Sequence, residues 1–233
     1  MKILYVVNSA DSQSIPLELA LYMQKRIPNF TIASYYANSS FPTDHKEDDV
    51  VNLGAKRPFD RSSMRKLKGL LREVEPDIIH THHSVSSVVA TCMAKLQGFK
   101  GSLVKTEHND HRRISKHHLV ANHLVFPFQS RIICNSDTTL KSFMRSEKLL
   151  AGNRAVRIYN GVDTQRIRTV MKENGQRERA HSSEIYTLGH VGRLVQQKNQ
   201  LRLLEGFAQA RAVASVDLRL EIIGEGSLQK ILQ

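Results

Sequence analysis

Gly189-His-Val-Gly192-Arg193-Leu-Val-Gln-Gln-Lys198-Asn199 lies between an apolar run, Ile185 to Leu188, and a segment with Leu201, Leu204, Phe207 and Ala208 at helical spacing. The run reads as the end of a buried strand and the segment as a helix. Strand, glycine-containing turn and helix follow one another, a layout in which backbone N–H groups at a helix start can meet an anion. Arg193 adds a planar fork suited to phosphate oxygens, and Lys198 adds a mobile point charge. A solvated turn carrying two surface cations is the plainer alternative. The flanking strand and helix favour the anion site.

The same alternation extends back to the N-terminus. Strands are expected at Lys2 to Val7, Phe30 to Tyr35, Val50 to Leu53, Ile78 to His82, Ser102 to Thr106, Arg131 to Cys134 and Ala155 to Tyr159. Helices are expected at Ile15 to Arg26, Arg61 to Val74, Val88 to Gln97 with Ser84 to Ser87 as cap candidates, and within Lys116 to Phe126. A further helix, capped by Asp137, should run to about Leu150. Strands alternating with helices imply a parallel sheet covered on both faces, whose ligands sit at the carboxyl ends of the strands. The polar clusters His80 to His83, Glu107 to His111, Asn135-Ser136 and Asn160-Gly161 fall at those ends.

The fold class expected is therefore α/β: an N-terminal doubly wound parallel-sheet domain over 1–171, a polar linker over 172–183, and over 184–233 the beginning of a second Rossmann-like domain. The second part holds two expected strands, the later one from Leu218 to Ile223. Since a sheet usually has roughly five or six strands, either this tail packs onto the first domain or the chain is a piece of a longer fold, and the second is favoured.

Composition narrows the classes. Of 233 residues, 40% are hydrophobic and 24% charged, which describes an ordinary globular chain rather than a disordered one. No apolar run is long enough to cross a bilayer as a helix, and Met1 to Val7 reads as a core strand rather than a signal peptide. Cys92 and Cys134 lack metal-ligand spacing and are expected to be two buried thiols in a reduced cytoplasm. The formal charge of +12 calls for a polyanionic partner: nucleotide, anionic lipid or nucleic acid. Cations are spread along the chain and aromatic residues are few, which argues against a stacking platform for nucleic acid. Arg61 to Val74 is a basic amphipathic helix, with Met64, Leu67, Leu71 and Val74 as its stripe. Packing on the sheet is its first expected role and contact with an anionic membrane its second.

Several short stretches, in order, resemble the retaining glycosyltransferases of family 4, which have the GT-B fold. Pro76-Asp-Ile-Ile-His-Thr-His82 is similar to the family's Pro-Asp-hydrophobic-hydrophobic-His-x-His segment, and Lys105-Thr-Glu-His108 to its Thr-x-His strand end. Arg131-Ile-Ile-Cys-Asn-Ser136, Ile158-Tyr-Asn-Gly-Val-Asp163 and Gly224-Glu-Gly226 resemble later landmarks. Gly192-Arg193 followed by Lys198 resembles the donor-diphosphate site. The resemblance implies transfer of a sugar from a nucleotide diphosphate, with retention, to a cell-surface polysaccharide or lipid-linked acceptor. It places His108 beside the donor sugar as the catalytic candidate, with Gly192, Arg193 and Lys198 on the donor diphosphate. His82, Ser136, Asn160 and Gly161 are candidate donor or acceptor contacts. It implies no cofactor and no metal, the nucleotide-sugar being a substrate. The expected location is the cytoplasm, with peripheral contact at the inner face of the membrane. A catalytically silent relative that keeps ligand binding is the alternative, and a basic binder of nucleic acid or membrane ranks third. Two departures stand out. Ser12-Gln-Ser-Ile-Pro16 replaces the family's Gly-Gly turn, so close backbone approach is harder there. The family's glutamate pair would fall beyond Gln233.

Overall fold

A computed structural model describes residues 1–11, 14–37, 49–173 and 185–232. The chain divides into two units, Met1–Val162 and Asp163–Gln233.

The first unit is built on β1 (Ile3–Val7), β2 (Phe30–Tyr36), β3 (Val50–Ala55), β4 (Ile78–His82), β5 (Ser102–Glu107), β6 (Arg131–Cys134) and β7 (Ala155–Arg157). They form one sheet in the order β3-β2-β1-β4-β5-β6-β7, and every neighbouring pair is parallel. The chain winds outward from β1 to β3, returns to lay β4 against the other side of β1, and winds outward again to β7. This reversal sends the crossover helices to opposite faces, which opens a crevice above the carboxyl ends of β1 and β4.

The helices are α1 (Ile15–Gln24), α2 (Arg61–Val74), α3 (Ser84–Leu96), α4 (Lys116–Val125), α5 (Asp137–Lys141) and α6 (Arg145–Ala151). One face of the sheet presents Leu4, Ile79 and Leu103 at matched register positions, and these pack with Leu67, Leu71, Val89 and Met93 of α2 and α3. The other face presents Ile3, Tyr5, Phe30 and Ile32 to Leu17, Ala20 and Leu21 of α1. A third cluster joins Ile132 and Cys134 of β6 to Phe126, Phe143 and Ala151. Burial on both faces explains why β1 is apolar at every position rather than alternating.

Several expectations are corrected. The helix expected from Val88 starts at Ser84, so its serines lie in the first turns, and Ser86 and Ser87 donate to the carbonyls of His82 and His83. The helix expected to run from Asp137 to Leu150 is broken. Ser136, not Asp137, caps α5, accepting from Thr139 N–H. Glu147 then opens α6 by accepting from Met144 N–H at 2.9 Å. Cys134 is buried as expected, but Cys92 is exposed, on the side of α3 away from its buried stripe.

The second unit holds α7 (Thr164–Glu173), β8 (Ile185–Val191), a 3-10 turn (Gln196–Lys198), α8 (Gln200–Val213), β9 (Asp217–Ile223) and α9 (Gln229–Leu232). The expected boundary at 171 thus differs from the division after Val162, because α7 groups with the second unit. Most of the expected linker, 174–183, and Ser12-Gln13 of the replaced glycine turn lie outside the described residues. β8 and β9 pair in parallel from Ile185↔Asp217 to Val191↔Ile223. The expectation of a buried β8 fails: Tyr186 and Val191 are 63% and 77% exposed. Its one strand partner among the described residues is β9, so the sheet has too little cover to bury it.

Leu103 is 1% exposed, while its neighbour Val104 is half-buried on the opposite face. Leu103→Ala is expected to destabilise the first unit by about 2–5 kcal/mol, and Leu149→Ala, at an exposed position, by less than about 0.5 kcal/mol. Urea denaturation followed by circular dichroism measures both.

Candidate functional site

Above the switch between β1 and β4 lies a cleft of about 100 Å³. Asn8 reaches it from the end of β1, and His83 and Ser84 from the turn after β4. Thr106, Glu107, His108 and Asn109 reach it from the end of β5, and His118 and Asn122 from α4. The strand order alone places a crevice here, and the lining is mostly polar, with Val85 and Ile114 as its apolar members.

Histidines form its back wall. His82 is fully buried, and its Nδ1 lies 2.9 Å from Nε2 of His108. His80 pairs through Nε2 with Thr106 Oγ1 at 2.8 Å. The rings of His80 and His82 lie 4.6 Å apart, with Tyr5 against both. His83 stacks on His108 from another side at 5.7 Å. His83 also holds φ at +66° as the residue before α3, a backbone region that a non-glycine side chain enters at a cost. Burial, reinforced by neighbouring histidines, lowers His80 and His108 to about 4 and His82 well below the ordinary 6.5. These rings are neutral at pH 7 and act as hydrogen-bonding groups.

Beneath the cleft is a charged network. Lys105 on β5 has no solvent exposure and is paired with Glu107 and, at 2.5 Å, with Asn122 Oδ1. Asn122 donates to Glu147 Oε1 at 2.9 Å, and Glu147 also meets His111 Nδ1 at 2.8 Å. His111 lies 3.5 Å from Glu107 through Nε2, and its backbone N–H is held by Ser142. Burial alone would raise the Glu107 carboxyl. The Lys105 charge and bonds from His111 and Lys105 outweigh that and hold it at about 2. Burial would lower His111, but the two glutamates lift it to about 9. Two positive and two negative side chains thus balance beneath the cleft, as buried charges require.

The candidate residues separate into three groups. His108 lines the cleft. His82 does not, being enclosed behind His108. Ser136 caps α5 with its hydroxyl, and Asn160 and Gly161 are exposed beyond the end of β7; none of the three lines the cleft. Gly192, Arg193 and Lys198 come together in the second unit, on the turn between β8 and α8. That turn is fastened to the one after β9: Gly192 N–H donates to Ile223 O at 3.0 Å, Leu194 N–H to Glu225 O at 2.8 Å, and Leu228 N–H to Leu194 O at 2.9 Å. Gly224 and Gly226, at φ of +153° and +155°, lie so close that a Cβ on either would collide with the Gly192 or Leu194 carbonyl. Gln200, fully buried, donates to Arg193 O at 2.8 Å and fixes the turn from beneath. The Arg193 and Lys198 side chains are exposed and have no partner among the described residues.

Reading the sequence did not single out Asn8, His118, Asn122, Glu147 or Gln200; it placed His83 only within a strand-end cluster and Lys105 only at the start of a motif. A lysine inside a strand is a visible oddity, and Glu107 stands two residues on, but nothing in the chain order marks Asn122 as its other partner or Glu147 behind that.

Stability should depend on pH in two opposed ways. His80 and His108 bind fewer protons folded than unfolded between about 4 and the ordinary 6.5, so stability falls as pH drops through that window. His111 binds more protons folded between 6.5 and about 9, so its contribution is complete below 6.5 and is lost as pH rises to 9. Scanning calorimetry should place the highest Tm of the first unit near neutral pH. His111→Gln should flatten the alkaline limb while leaving the acid limb in place.

Known proteins resemble the chain over both units. The description Glycosyltransferase Family 4 matches residues 17–166. EpsD of Bacillus subtilis (strain 168), assigned as a glycosyltransferase, is 28% identical over 201 residues, covering 80% of this chain and 52% of EpsD. Among solved structures, Anabaena Alr3699/HepE in complex with UDP is similar at a TM-score of 0.70 and 19% identity, over 100% of this chain and 64% of that one. The lipopolysaccharide outer core galactosyltransferase WaaB is similar at 0.60 and 16%, over 100% of this chain and 63% of WaaB. The chain therefore spans about half the length of EpsD and less than two thirds of these two structures. With its parallel α/β architecture and the match over most of the first unit, the chain belongs to Glycosyltransferase Family 4 and has the GT-B type of fold.

Proposed function

We propose that the chain takes part in transferring a sugar, with retention, from a nucleoside-diphosphate sugar to a polysaccharide or lipid-linked acceptor of the cell envelope. The observation that carries this reading is the turn at Gly192 to Lys198: two exposed cations with no partner among the described residues, on a backbone held by Gly224, Gly226 and Gln200. As the anomeric bond breaks, negative charge builds on the departing diphosphate. Cations already aimed at it stabilise the transition state more than the ground state. Arg193 can grip two phosphate oxygens at once and Lys198 can reach a third. No cofactor is required, since the nucleotide-sugar is itself a substrate. The polar lining around His108, with neutral histidines and the ionised Glu107, suits a sugar more than an anion.

HepE was crystallised with UDP and with UDP and glucose, so uridine diphosphate heads the panel to be tested. Calorimetric titration with UDP, GDP and ADP should show binding of one of them, weakened roughly tenfold or more by Arg193→Ala and by Lys198→Ala. Binding that survives both substitutions would falsify the assignment. Donor binding without turnover against any glycan or glycolipid acceptor would favour the catalytically silent relative.

We also propose peripheral attachment to anionic lipid at the inner face of the cell membrane. Lys56, Arg57, Arg61, Arg65, Lys66, Lys68 and Arg72 are all exposed, with Asp60 the one acid between 56 and 72. None of the seven side chains forms an ion pair among the described residues, although Arg72 donates to Gln97 Oε1 at 3.2 Å, and Phe59 beside them is 60% exposed. The apolar stripe of α2 packs inward through Leu67, Leu70 and Leu71, so it is the basic side that is free. No helix among the described residues is long and apolar enough to cross a membrane. Arg65→Gln combined with Lys68→Gln should lower binding to vesicles containing phosphatidylglycerol by about tenfold, with no effect on vesicles of phosphatidylcholine alone. Cosedimentation at two salt concentrations measures it.

A further inference from the structure

His82 was expected at the site as a direct contact, yet it is wholly enclosed and reaches the cleft through a single bond to His108. That bond has a consequence for the chemistry His108 can offer. A neutral imidazole carries one N–H and one bare nitrogen. The 2.9 Å contact between His82 Nδ1 and His108 Nε2 therefore has two possible arrangements. In one, His82 donates and His108 accepts. His82 Nε2 is then a bare nitrogen, and His108 carries its proton on Nδ1. In the other, His108 donates, and His82 must hold its own proton on Nε2.

The surroundings of His82 Nε2 separate the two. The atom is buried and has no hydrogen-bond partner among the described residues, and Nε2 of the nearby His80 is engaged with Thr106. An N–H stranded there would be a buried donor without an acceptor, which is rarer in folded proteins than an acceptor left short of a donor. We propose that His82 is a positioning residue that fixes the tautomer of His108, so that His108 presents Nδ1–H, a hydrogen-bond donor, to the cleft. The packing holds the ring in place for this role: His82 meets it on one side at 5.2 Å between centroids and His83 on another at 5.7 Å. The low proton affinity of both rings keeps the pair neutral, so one proton is shared along the contact rather than two competing for it.

His108 so arranged would donate to an oxygen of a bound sugar and would not act as a base toward an acceptor hydroxyl. This consequence rests on the cleft being a sugar site. The tautomer itself does not, because it is measured without any ligand, and either idea can fail while the other stands.

The test is long-range proton–nitrogen correlation NMR of the full chain, labelled with nitrogen-15, at pH 7. The His108 ring signals are assigned through their loss in His108→Gln. In the unsubstituted protein His108 should show a protonated Nδ1 and a bare Nε2, in roughly tenfold excess or more over the opposite tautomer. His82→Phe, which keeps a ring but removes the donor, should move the proton of His108 toward Nε2. His80→Phe alters the adjacent ring, 4.6 Å from His82, without touching that bond, and should leave the pattern unchanged. A protonated Nε2 in the unsubstituted protein overturns the proposal. So does a pattern that ignores His82→Phe, or one that responds equally to His80→Phe. If His82→Phe does not fold, the unsubstituted spectrum alone decides the tautomer.

Discussion

Lys105 lies in the middle of the fifth strand with no exposure to water, and the region under the cleft is arranged around keeping that charge paired. An unpaired ammonium at such a position would cost several kcal/mol. Glu107, two residues on and on the same side of the strand, answers it directly. Asn122 answers it from α4 and passes the contact to Glu147 on α6, while His111 closes the ring between the two glutamates. The loop from Glu107 to His111 is pinned at both ends as a result. His108 and Asn109 sit between those pins, so the charged network beneath holds the groups that line the cleft above.

Over this platform the histidines form a second, uncharged layer. Their burial removes them from titration near neutral pH, and their mutual contacts decide which nitrogen faces outward. A neutral hydrogen-bonding wall above a balanced charged one suits a polyhydroxyl ligand: the surface is polar, yet no net charge attracts ions in its place. The strained backbone at His83 belongs to the same construction, since it turns the chain sharply from β4 into α3 and brings that ring over His108. Such strain persists where surrounding contacts over-determine it.

The second unit solves a different problem. Its turn exposes two cations, Arg193 and Lys198, neither of them paired with an acid among the described residues. Backbone bonds to the neighbouring glycine turn and the buried amide of Gln200 hold the main chain, while both side chains remain exposed. Glycines 224 and 226 are required there for space as much as for backbone conformation, because the two turns touch backbone to backbone.

The sequence by itself determined the alternating strands and helices, and hence the parallel sheet with its polar clusters at the carboxyl ends, because apolar periodicity and strand-end residues are local properties. It also marked His108 and the pairing of Arg193 with Lys198, through short motifs that keep their order. Other features came from tertiary structure. That His82 backs His108 rather than lining the cleft depends on the register of β4 against β5. That Ser142 and Glu147 are buried and bonded to His111 depends on β5 and α6 meeting in space. That β8 stays exposed depends on how many strands stand beside it. Each of these turns on a partner distant along the chain, and burial and hydrogen-bond pairing are properties of neighbours in space, which spacing along the chain does not encode.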